Sequence, residues 1–175
     1  MEDYNRRVMK TRMPNLVALF AAVVFVSSAH LSWAQTAPAP TDRTGASVFS
    51  AADLAAALAK LPGDRPSSSV RVFSLAPYNV NVEQRLARPQ GASLHETQAE
   101  FFYVVEGSAT LLTGGALVAP TRNGTNVAGT GIDGGTRQTF SKGDFLLVPS
   151  GIPHQFVDIQ APVQLMSIYL PNAPQ

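Results

Sequence analysis

Gly143-Asp144-Phe145-Leu146-Leu147-Val148-Pro149-Ser150-Gly151-Ile152-Pro153-His154 is the stretch whose reading decides the fold. Turn residues at Gly143-Asp144 and Ser150-Gly151 bracket the apolar run Phe145 to Val148, which reads as a short strand. Pro149 closes that strand, because it has no N–H to give to a ladder. Pro153 sets the approach to His154, which opens the next strand. Along that strand His154, Phe156 and Asp158 share a face. The opening of a strand is a usual place for a ligand at a barrel mouth.

A second patterned stretch lies upstream: His95-Glu96-Thr97-Gln98-Ala99-Glu100-Phe101-Phe102-Tyr103-Val104-Val105-Glu106-Gly107. Side chains two apart on a strand point the same way, so Ser93 and His95 share a face. His95 and Glu100 are an odd number of residues apart. They meet in one cavity only if the chain bends between them, and Glu96 to Ala99 supplies the bend. Beyond it Glu100, Phe102 and Val104 lie on one face, with Phe101, Tyr103 and Val105 on the other. Apolar residues on both faces mean packing on both sides. A carboxylate in such a strand is costly to bury unless it is compensated, and a metal ion would compensate it.

The rest of the chain agrees with an all-β reading. Val70, Val72 and Ser74 alternate with Arg71, Phe73 and Leu75, and Val80, Val82 and Gln84 alternate with Asn81, Glu83 and Arg85. Ala109 to Leu112 and Val163 to Leu170 are further β-rich runs, with Gly, Pro or Asn between them. Short strands at this spacing indicate a sandwich or barrel. No 10–15-residue helical pattern alternates with them, which argues against a βαβ sheet. Ser50 and Asp53 have capping-box spacing ahead of an Ala/Leu run, so a short helix is expected from Ser50 to Lys60, stopped by Leu61-Pro62-Gly63. Thr113 to Thr136 is a Gly-rich excursion with a tight-turn signal at Asn123-Gly124. It reads as an extra hairpin or a long loop, either surface decoration or a lid over the barrel mouth.

Composition narrows the class. The 175 residues suit one domain. Charged residues make up 14% and hydrophobic ones 45%, which favours a compact core over disorder. A net charge of +1 without a long basic run gives no reason to expect nucleic acid as a partner. The absence of cysteine excludes disulfides, thiol catalysis and thiolate metal sites. Arg6, Arg7, Lys10 and Arg12 precede an apolar run from Leu16 to Val26, and Ser32-Trp33-Ala34 has small residues where signal peptidase needs them. The run is shorter than the ~20 residues of a bilayer span. The expected organisation is a signal peptide over 1–34, a flexible linker over 35–46, a helix and connector over 47–68 and a β-domain over 69–175. A periplasmic or secreted protein, with no stable membrane span after cleavage, follows.

The two stretches resemble the two signature motifs of the cupin family. The family's first motif ends in a histidine, a glutamate after three or four residues, then an aromatic-rich strand closing in glycine. Here these are His95, Glu100 and Gly107. The second motif is matched without a gap by Gly143, Pro149, Gly151 and His154. The resemblance covers Gly91 to about Leu170. It implies a double-stranded β-helix, or jelly-roll barrel, around a divalent metal held by His95, Glu100 and His154. The family's earlier histidine falls at Ser93 and is absent, and the closing asparagine of the second motif falls at Asp158. Three ligands with open positions still bind substrate or water, as in two-histidine, one-carboxylate sites.

Iron, manganese, zinc, nickel and copper all tolerate such mixed ligation, so the metal is not distinguished. Ser93 is placed to orient a bound water, and Ser93, Phe102 and Phe156 are expected to line a substrate cavity. The metal-free alternative has Glu100 hydrogen-bonded between two satisfied histidines. Arg85 and Arg88 read either as anion contacts or as exposed strand residues, and Tyr103 and Tyr169 as packing. Fold does not fix function. One reading is a metal-dependent oxidoreductase or isomerase-type enzyme acting on a small polar substrate. Another is a non-catalytic module that binds or senses a small ligand. The apolar run Val163 to Leu170 suits burial on both faces or the interface of a homodimer.

Overall fold

Ser50 caps the helix as its spacing predicts. Its hydroxyl oxygen accepts the Asp53 N–H at 3.1 Å, and the hydroxyl donates to the Asp53 carboxylate at 2.7 Å. The helix, α1 (Ala51–Leu58), buries none of its residues and lies against the first strand. The structure, a computed structural model, describes residues 44–172. The leader expected over 1–34 and residues 35–43 of the expected linker lie outside the described residues.

Everything after α1 is strand and turn. The strands are β1 (Ser67–Leu75), β2 (Tyr78–Arg85), β3 (Ala92–His95), β4 (Gln98–Glu106), β5 (Ser108–Thr113), β6 (Ala116–Val118), β7 (Thr121–Asn123), β8 (Asn126–Gly129), β9 (Gly131–Asp133), β10 (Thr136–Ser141), β11 (Phe145–Val148), β12 (His154–Val157) and β13 (Val163–Pro171). One sheet runs β1-β2-β13-β4-β11 and the other β10-β5-β12-β3-β8-β7, while β6 and β9 form a separate pair. All pairings are antiparallel. From β3 to β5, and again from β10 to β13, each successive strand crosses to the other sheet. That winding is a double-stranded β-helix.

The period-2 alternation places the core. Phe102 and Val104 of β4, Leu111 of β5, Phe140 of β10, Val148 of β11, Phe156 of β12 and Val163 and Leu165 of β13 meet in one buried cluster. β13 is bonded on both edges, to β2 and to β4. Its apolar run is therefore a central strand.

The excursion from Thr113 to Thr136 forms strands. β7 and β8 make a hairpin around Gly124-Thr125, with Asn123 paired to Asn126. β8 then pairs with β3, from Ala92 opposite Gly129 to His95 opposite Asn126. The excursion is a hairpin that extends the six-stranded sheet and walls its cavity. It is neither an unstructured loop nor mere decoration.

Two motif glycines have structural reasons. Gly107 has φ +87°, and a Cβ there would lie 2.9 Å from the Pro162 carbonyl oxygen. Gly151 has φ +76° in the turn from β11 to β12, and its N–H donates to the His95 carbonyl at 2.8 Å. Only glycine adopts such backbone without strain.

Candidate metal centre

Three short connections bring the two motifs to one point. β3 ends at His95, Glu96-Thr97 bends the chain, and β4 starts at Gln98. The bend resolves the odd spacing, so His95 and Glu100 face the same interior. β11 pairs with β4 so that Val148 lies opposite Glu100. The Gly151 N–H then clasps the His95 carbonyl, and His154 opens β12 opposite Ser93 and Thr113.

The result is a tight cluster. His95 Nε2 lies 3.3 Å and His154 Nε2 3.1 Å from Glu100 Oε2. The donor atoms of all three residues lie within 4.8 Å of one another. Glu100 and His154 are buried, and His95 is nearly so. Metal–ligand bonds of about 2.0–2.2 Å put neighbouring donors about 3 Å apart. Both histidine nitrogens have that spacing from Glu100 Oε2.

Orientation supports the same assignment. His95 Nδ1 is 2.7 Å from Asn126 Oδ1. An amide oxygen only accepts, so Nδ1 carries the proton and the Nε2 lone pair faces Glu100. His154 Nδ1 makes a longer contact, 3.4 Å, with the Ile152 carbonyl. Anchoring of the remote ring nitrogen is how ligating histidines are held. Lone pairs and a carboxylate pointing at one another require a cation between them, either a proton or a metal ion.

The electrostatics say so too. Burial opposes charge on His95. Its hydrogen bonds to Glu100 and Asn126 and the charges of Glu100 and Glu83 outweigh that and raise its pKa above the usual histidine value. Burial likewise opposes ionisation of Glu100, but hydrogen bonds and charge from His154 and His95 hold its carboxyl well below the usual carboxylate range. Burial first, then the charges of Glu100 and Glu83, push the Tyr169 phenol up, so it stays protonated and donates to Glu100. Its ring meets His95 edge-on at 4.9 Å.

The cluster forms the floor of a cavity of about 490 Å³. Ser93 lines it, as expected from its shared face with His95. Phe102 and Phe156 do not line it, and the expectation of substrate contact is corrected for both. They are 0% and 1% exposed, packed edge to face at 5.3 Å in the core beneath the histidines. One step along each strand from Glu100 and His154, the inward face has already reached the core. Phe156 instead backs a separate shallow pocket with Arg88 and Asp158. Asp158 has left the strand face at φ 57°, is exposed, and pairs with Arg137.

Of the two arginines considered, Arg88 is exposed and donates to the Gly63 carbonyl. Arg85 lies inside the cavity, paired with Glu83. Sequence reasoning missed Asn126, Asn81 and Glu83 and took Tyr169 for packing. For Asn81 and Glu83 a signal existed, since polar residues alternating with Val80 and Val82 on a strand packed on both sides demand a polar interior. For Asn126 there was none, because its approach depends on how β8 docks.

No family model matches the sequence, and no curated protein matches it. Among solved structures the chain is similar to the EutQ protein of Clostridium difficile, at 14% identity over 60% of this chain and 62% of that one, with a TM-score of 0.40. That match spans less than two thirds of EutQ. It is also similar to the cupin domain of Schizosaccharomyces pombe Cnp3, at 12% identity over 66% of this chain and 72% of that one, TM-score 0.48. KdgF from Halomonas sp. is similar at 14% identity over 65% of this chain and 86% of that one, TM-score 0.47. These are likenesses of fold.

Proposed function

We propose that this cupin-like barrel is an exported, metal-dependent protein that holds a divalent ion with His95, Glu100 and His154. Its reaction is of oxidoreductase or isomerase type, on a small polar substrate. The observation that carries the reading is the convergence of two oriented imidazoles on one buried carboxylate at 3.1 and 3.3 Å. A bound ion would act there as a Lewis acid or oxygen activator. The chain's own part is positional. Asn126 fixes the His95 ring, Tyr169 keeps a proton on the Glu100 side of the cavity, and the Phe102–Phe156 pair seals the floor from below. Metal analysis of the purified chain, followed by Co²⁺ titration and turnover assays with small acids and sugars, tests it. A chain that binds no divalent ion overturns it.

A non-catalytic binding module is the second reading, favoured by Ser93 standing where the family has a further histidine. Ligand binding without turnover would support it. Export is tested by N-terminal sequencing of protein secreted from a bacterial host, which should begin near Gln35. A homodimer is tested by light scattering. Among the described residues no helix is long and apolar enough to cross a membrane.

A further inference from the structure

The cavity has a second polar wall that metal ligation does not use. Asn81, Glu83 and Arg85 are alternate residues of β2, so they leave the same face of the strand. All three line the cavity. They are held firmly. Arg85 Nη2 donates to Glu83 Oε2 at 2.6 Å, and Ser167 on the neighbouring β13 donates to Glu83 Oε1 at 2.8 Å. The guanidinium carbon sits 4.2 Å from the centre of the Phe156 ring. Acid and base neutralise one another, so the wall carries no surplus positive charge.

It does carry unmet hydrogen bonds. Asn81 Oδ1 is an acceptor, Arg85 Nε a donor and Ser68 Oγ both, and each is buried without a partner among the described residues. Buried polar atoms in folded proteins are nearly always paired, so three together beside one cavity ask for a ligand that pairs them after small side-chain rotations. Of the residues lining the cavity only Val127 and Ala128 are aliphatic.

Interleaved donors and acceptors match hydroxyl groups, which donate and accept at once. A bare carboxylate only accepts and would face Glu83 and Asn81 Oδ1 as unfavourable partners. An apolar ligand would strip water from Glu83 and return nothing. We propose that the β2 wall recognises a vicinal diol, so that the ligand is a small polyhydroxylated compound of the sugar or sugar-acid class. Its hydroxyls lie on Asn81, Glu83 and Arg85, and another oxygen faces the His95–Glu100–His154 cluster. Only that last contact rests on the metal reading.

The test is calorimetric titration of the purified chain, with and without Co²⁺. The probes are xylose, glucose, galactose, mannose and gluconate, set against butyrate and 2-oxobutyrate. Wild type is compared with Glu83→Gln and Asn81→Ala, and Co²⁺ affinity is measured in parallel by chelator competition. At least one hydroxylated probe should bind, and each variant should weaken it about tenfold or more, as expected for loss of a buried hydrogen bond to a charged or amide group. Co²⁺ affinity should stay within about threefold in Asn81→Ala, whose side chain is neutral and outside the ligand cluster, whereas Glu83→Gln also removes a charge that acts on His95. Should Glu83→Gln fail to fold by circular dichroism, Arg85→Lys reads the same wall. If Co²⁺ fails to bind wild type, the metal reading falls alone, and the metal-free titrations still decide the diol subsite by the same pattern. The proposal is overturned if no hydroxylated probe binds, if butyrate or 2-oxobutyrate binds as tightly, or if the variants leave the hydroxylated ligand's affinity unchanged.

Discussion

The two ends of the barrel interior are built on the same strands and have opposite chemistry. Along β4 the inward residues run Glu100, Phe102, Val104, and along β12 they run His154, Phe156. Along β13, from the cavity inward, they run Tyr169, Ser167, Leu165, Val163. Each strand changes from polar to apolar within one or two inward positions. The apolar end, with Phe102, Val104, Val163 and Leu165 at 0% exposure, anchors the sheets against each other. The polar end is thereby free to hold groups that burial alone disfavours. A buried carboxylate and two imidazoles are tolerated because the rigid floor fixes them where a cation compensates them.

Substitution at the apolar end should have the largest effect. Leu165→Ala removes a fully buried side chain and should cost about 2–5 kcal/mol in urea unfolding. Its metal affinity should remain near wild type, and an equal loss of affinity would show that the ends are not separable. At the polar end His154→Ala and His95→Ala should each weaken metal binding on the order of a hundredfold in chelator competition, since ligand identity and count set affinity. Unchanged affinity in either would sink the metal site. The wild-type site should also weaken with falling pH. Below its raised pKa the His95 imidazole holds a proton that a metal must displace, so affinity at pH about 5.5 should lie below that at about 8. A flat profile would argue against imidazole ligation.

Legibility differed between these ends. The inward apolar positions followed from period-2 alternation, the end of β11 followed from the missing N–H of Pro149, and the bend expected over Glu96 to Ala99 is confined to Glu96-Thr97. His95, Glu100 and His154 were legible because motif spacing places His95 at the end of β3, Glu100 near the start of β4 and His154 at the opening of β12. Phe102 and Phe156 were misread, because sharing a face with a ligand does not say how deep the cavity reaches. The β7–β8 hairpin was legible as a turn at Asn123-Gly124, but its docking on β3 is a long-range pairing with no local signature. That pairing supplies Asn126, and with it the orientation of His95.

Asn126 gives the next smaller effect. Asn126→Ala removes the acceptor that fixes the His95 ring but no ligand. Metal affinity should fall about tenfold, the lower end of what such supporting hydrogen bonds contribute. Asn126→Asp should restore it, because a carboxylate accepts the same Nδ1 proton. Equal loss in both variants would mean that Asn126 acts through the fold of the hairpin rather than through His95.

The smallest effect tests the polar end by adding to it. Ser93 pairs with His154 across β3 and β12, lines the cavity, and stands where the resemblance expects a histidine. Ser93→His would place a third imidazole on the inward face without altering strand pairing, since neither residue is Gly or Pro and β3 needs only its backbone. A further ligand in a site already shaped by three should tighten metal binding by about tenfold. It would also occupy a position now open to water or substrate, so turnover, where present, should fall as affinity rises. Those opposite signs separate ligation from a general change in stability, which would move both the same way. Weaker metal binding in Ser93→His, with the fold intact by circular dichroism, would show that the cavity is too narrow at β3 for an imidazole. The polar end would then be complete with three ligands, and its open side would be reserved for what binds along β2.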